Sequence, residues 1–87
     1  MQDISAHICW QYLHGELDRQ QKQEVRDIII IAIPDEWLAI QMIREIAYRI
    51  GFANSVFPKC MSEVTYKLKK QWCRNQINEV FSKRREE

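Results

Sequence analysis

The sequence predicts an all-α domain, a small bundle of about four helices containing a helix-turn-helix-like pair over residues 35–74. Three observations carry this. Apolar side chains recur at three- and four-residue spacing along most of the chain, the period of half-buried helices. Only two glycines and two prolines interrupt it, too few for the many turns of an all-β fold. The strongest breaks, Pro34 and Gly51, bracket a clean helical period between them.

Eighty-seven residues make one domain, residues 1–87, with a frayed tail expected over 83–87. At 46% hydrophobic and 29% charged, the composition is globular rather than disordered. The net charge of +1 names no partner, but its distribution is uneven. Residues 1–58 carry five basic and eight acidic side chains, whereas residues 59–87 carry eight and four, which makes the C-terminal third the cationic end.

The first helix is expected over residues 3–17, capped by Asp3. Ile4, Ile8 and Tyr12 share one face, Cys9, Leu13 and Leu17 adjoin it, and Gly15 loosens its end. His7 and His14 lie two turns apart on one side. A pair of metal ligands on a helix is normally four residues apart, so both read as surface histidines and no metal is expected.

Residues 18–27 are polar and lead into the run Ile28–Ile33. A helix from Asp18 to Ile33 would align Leu17, Gln21, Val25, Ile28 and Ala32, with its last two turns buried all round. The alternative is a short buried strand, whose pairing would require a second chain. The scarcity of other strand-like segments favours the helix.

Pro34 ends whatever precedes it and is tolerated in the first turn of a new helix. Asp35 and Glu36 then fall where the helix dipole favours carboxylates. Ala39, Ile43, Ile46 and Ile50 form the inner face, flanked by Met42 and Ala47, with Gln41, Arg44, Glu45 and Tyr48 opposite. Gly51 supplies the stop. The next helix is expected to start near Asn54 or Ser55, with Pro58 in its opening turn.

On that helix Phe57, Met61, Val64, Leu68 and Trp72 make one apolar stripe, read as its packing face. A second stripe carries Lys59, Glu63, Lys67, Lys70 and Arg74, with Lys69 beside it. After Arg74 the apolar pattern rotates to Cys73, Ile77, Val80 and Phe81. Either the helix continues to about residue 83 or it breaks near Asn75.

Chemistry finds little footing. No phosphate loop, paired carboxylates or nucleophile–base–orienter set is visible, so no enzyme and no cofactor are expected. Cys9, Cys60 and Cys73 are odd in number and far apart. They suit small core residues in a reducing compartment better than zinc or disulfides. Without a signal peptide or a membrane-length apolar run, the expectation is a cytoplasmic protein with no membrane partner.

Two helices joined by a short turn, the second of them basic, match the layout of a helix-turn-helix. In that reading Asn54, Ser55, Lys59, Ser62, Glu63, Thr65, Tyr66 and Lys67 offer groups to the bases near the helix start, and Lys69, Lys70 and Arg74 add contacts to the phosphate backbone of double-stranded DNA. The string IREIAYRIGF, residues 43–52, with Phe57 beyond it, resembles the helix-turn segment of arabinose-regulator-type (AraC-type) transcription factors. That resemblance implies a DNA-binding transcription regulator. It covers ten to fifteen positions; the spacing to Phe57 is one residue short, and the family's later Gly-x-x-Pro element is absent.

The alternative is a protein–protein interaction module, such as an adaptor, inhibitor or chaperone-like protein. Three tryptophans, three tyrosines and three phenylalanines are many for this length. Trp37 and Tyr48 fall on the polar side of their helix, and Trp10 does so on the first, as interface aromatics do. Trp37 and Tyr48 are the candidate partner-binding residues, and a homodimer is expected under both readings.

Overall fold

Short polar side chains mark where the helices of this chain begin. The computed structural model describes residues 3–49 and 61–85, which form four helices and no strand. They are α1 (Ser5–Leu13), α2 (Arg19–Ala32), α3 (Glu36–Tyr48) and α4 (Glu63–Arg85). The expected all-α bundle is what the chain forms.

Asp3 opens α1 from one residue ahead of the cap position. Its Oδ1 accepts from the Ser5 backbone N–H at 3.0 Å and from the Ser5 hydroxyl at 2.6 Å. The Ile4 N–H donates to Asn78 Oδ1 at 2.9 Å, which ties the start of α1 to α4. The far end is a Schellman turn: the Gly15 N–H reaches Tyr12 O, and the Glu16 N–H reaches Gln11 O at 2.9 Å. Gly15 takes φ +70° there, so it stops the helix instead of loosening it. The helix is accordingly shorter than 3–17.

α2 starts with a capping box. Asp18 Oδ1 accepts from the Gln21 N–H at 2.8 Å, and the Gln21 side chain accepts from the Asp18 N–H at 3.2 Å. The isoleucine run is helical to Ala32, which removes the strand alternative. Ile33 turns extended ahead of Pro34, as the residue before a proline must. The run is not buried all round, however: Ile29 is fully enclosed while Ile31 is 72% exposed. A helix packed along one side cannot bury four consecutive residues.

Asp35 caps α3 by accepting from the Leu38 N–H at 3.0 Å. The helix closes at Arg49, which adopts the left-handed conformation (φ 51°, ψ 42°) two residues before the glycine expected to do so. Gly51, Ile50 and Phe52 lie outside the described residues, as do Asn54, Ser55, Phe57, Pro58, Lys59 and Cys60.

α4 begins at Glu63, with Ser62 Oγ accepting from the Thr65 N–H at 3.1 Å. The helix start expected near Asn54 or Ser55 lies outside the described residues. Past Asn75 the helix runs unbroken to Arg85, so it does not break near Asn75. Lys83 pairs with Glu79 at 3.5 Å, and Arg84 bridges to Glu24 of α2.

One core joins the four helices: Ile4, Ile8, Cys9 and Tyr12 from the α1 region, Val25, Ile29, Ala32 and Ile33 from α2, Ala39, Met42, Ile43 and Ile46 from α3, and Tyr66, Cys73, Ile77 and Phe81 from α4. α1 packs mainly on α3, and α2 mainly on α4. The 23 residues of α4 span about 34 Å.

Candidate functional site

α4 has two apolar stripes on opposite sides, and the structure buries the one that begins late in the sequence. Tyr66, Cys73, Ile77 and Phe81 follow i, i+7, i+11, i+15 spacing and are all in the core. Val64, Leu68 and Trp72 follow i, i+4, i+8 and point away from it, at 68, 66 and 39% exposure. The expected packing face is thus the outer face, half a turn from where the apolar spacing alone puts it. Tyr66 is wholly buried and stands away from any base-reading surface.

That rotation carries the basic stripe inward. Lys69 donates from Nζ to Ala32 O at 2.8 Å, capping the C-terminal carbonyls of α2 where a cation suits the helix dipole. Lys70 is nearly enclosed, 3.9 Å from Glu45 Oε1 and 5.9 Å from the centroid of the Tyr66 ring. Arg74 pairs with Asp3. Lys67 is exposed, and Lys59 lies outside the described residues. Three of the four described cations therefore hold helices together instead of projecting as a set.

Glu45, placed on the polar side of α3 by its helical position, is buried between α3 and α4. Its Oε2 accepts from the Tyr66 hydroxyl, and Lys70 stands beside its Oε1. Burial, followed by the neighbouring Glu45 carboxylate, pushes the Tyr66 phenol well above its ordinary range, so it stays a donor. The signal for Tyr66 was present in its seven-residue distance from Cys73. For Glu45 there was none, because only contact with Tyr66 separates it from an ordinary surface carboxylate.

The exposed ridge of α4 is continued by α2. Ile31, at 72% exposure, joins Ala32, Lys69 and Trp72 in lining an open groove of about 240 Å³ between the two helices. Val64, Leu68, Trp72 and Ile31 together make the outer apolar surface on this side. Trp37 and Tyr48 are also exposed, at 60 and 51%. Tyr48 is engaged at its tip, where its hydroxyl meets His14 Nε2 at 3.0 Å, and His14 stacks on Trp10. Tyr48 and Trp10 thus share one surface contact with His14, whereas no such contact is seen for Trp37 among the described residues.

No family model, curated protein or solved structure matches this chain. What it can do is therefore read from the surface itself. Among the described residues no group of histidine, cysteine and carboxylate side chains could hold a metal ion. None of the described helices is long and apolar enough to cross a membrane. Apolar side chains scattered singly on a surface are ordinary; Val64, Leu68, Trp72 and Ile31 are four exposed together.

Proposed function

We propose that this chain is a protein-interaction module and that it acts through the ridge Val64–Leu68–Trp72 and the adjoining Ile31. The observation that supports this is the exposure of that ridge, on the face of α4 opposite its core residues. Most of the Val64 and Leu68 side chains is left in water, which is unfavourable by about 25 cal/mol for each Å² that a partner would cover. Binding of duplex DNA finds less support, since Lys69, Lys70 and Arg74 are committed to contacts within the fold.

The test is a photo-crosslinking amino acid at position 68, with a control at the exposed Glu79 further along α4. Under this reading, irradiation in native lysate links position 68, and not position 79, to a discrete protein, and Trp72→Glu removes the product. Attachment to nuclease-sensitive material, or identical products from both positions, would reject it.

A further inference from the structure

The charges beside the ridge specify what can lie on it. Lys67 flanks Leu68 on one side of α4, and Lys69 stands on the other side, the one charged group among the described residues that lines the groove with Ile31, Ala32 and Trp72. Lys67 has no ion pair among the described residues. Lys69 spends one of its three N–H donors on Ala32 O at 2.8 Å, so its charge remains at the groove wall. The apolar strip is therefore bordered by a cation on each side.

We infer that the occupant of this strip is an amphipathic helix whose apolar stripe is bordered by carboxylates, supplied by another protein; this rests on the ridge being a protein-interaction surface. A second copy of the chain fits poorly. Turning α4 against itself brings Lys67 and Lys69 of one copy near those of the other, and like charges placed together at an interface disfavour association. Size points the same way. A stable interface between two globular surfaces buries about 800 Å² on each partner. Three ridge residues over two turns of α4, with Ile31, offer less, whereas a single helix seated between α2 and α4 uses a surface of this shape fully. Val64, Leu68 and Trp72, four residues apart, meet side chains of the same helical period on the partner.

The binding experiment uses fluorescein-labelled helical model peptides and the full 87-residue chain, read by anisotropy at low salt. One peptide has a leucine stripe at i, i+4, i+7 bordered by glutamates, and its counterpart carries lysines at the same bordering positions. The glutamate peptide is expected to bind at least ten-fold more tightly, and Leu68→Glu to abolish its binding. Lys67→Glu should narrow or reverse the preference. Equal binding of both peptides, no binding of either, or a Lys67→Glu variant that keeps the full preference overturns the inference.

Light scattering of the chain alone adds a separate readout. A dimer dissolved by Leu68→Glu would assign the ridge to a second copy, which overturns the acidic helix. A position-68 crosslink to a protein segment without acidic borders has the same effect, yet leaves the interaction function standing. Failure of every crosslink at position 68 removes both.

Discussion

Gly15 and Arg49 solve the same problem with unlike residues. Each ends a helix in the left-handed region, at φ 70° and φ 51°. At Gly15 an added Cβ would meet nothing within 4 Å, so Gly15→Ala should lose only the backbone term, about 1 kcal/mol in urea unfolding. Arg49 already carries that strain, and Arg49→Gly should gain a few tenths to about 1 kcal/mol in the same measurement. Asp3 adds a pH term. Burial alone would raise its pKa, but hydrogen bonds from the Ser5 hydroxyl, Arg74 and the Ser5 N–H outweigh it and hold the carboxyl well below its ordinary range. Its folded pKa lies below its unfolded one, so its contribution is complete above the ordinary carboxylate range and is lost as the pH falls beneath it. With a side chain about one-third exposed, the contribution is at most about 1 kcal/mol after solvent screening. Asp3→Asn should accordingly lower stability at pH 7 and narrow its gap from the parent at pH 2. A gap independent of pH would mean that the contacts from Ser5 and Arg74 together do not favour the charged carboxylate in the folded chain.

Among the elements, α4 separates what the sequence tells from what it does not. Helix number and type were legible, because Asp18, Pro34 and Asp35 are local signals acting on the residues beside them. The orientation of α4 was not. Apolar residues occupy two opposite faces, and Val64, Leu68 and Trp72 repeat as regularly as Cys73, Ile77 and Phe81. Only the neighbours decide between them: the Ile4 N–H meets Asn78, and the Tyr66 hydroxyl meets Glu45, contacts 74 and 21 residues apart in sequence. With the face reversed, the described part of the cationic stripe turns inward as well, although Lys67, Lys69, Lys70 and Arg74 do share one helix. The two faces should respond oppositely to truncation. Ile77→Ala removes fully buried atoms and should cost about 2–5 kcal/mol, whereas Leu68→Ala should stay within about 0.5 kcal/mol. Denaturant midpoints of the two variants check this directly, and equal losses would place Leu68 in the core.

For the molecule as a whole, Cys9 and Cys73 report whether the four helices open together. They come from α1 and α4, both are at 0% exposure, and both are free thiols. Burial pushes each thiol up to about 12, so almost none is thiolate at pH 8, and the thiolate is the form that alkylates. Reaction with iodoacetamide must then wait for the core to open. α1 is held by the Ile4–Asn78 hydrogen bond, by the Asp3–Arg74 pair and by burial of Ile4, Ile8 and Tyr12 against the other helices. If those contacts make α1 part of one cooperative unit, mass spectrometry should find Cys9 and Cys73 labelled at the same slow rate. Ile77→Ala should then raise both rates by the same factor. Because the folded thiols titrate above their unfolded values, their contribution is intact below about pH 8.5 and is lost as the pH rises towards 12. Alkaline unfolding should therefore set in earlier for the parent than for Cys9→Ala, measured relative to each protein's own stability at pH 7. Labelling of Cys9 well ahead of Cys73 would mean instead that α1 detaches by itself, leaving a three-helix remainder and a core that opens in two steps.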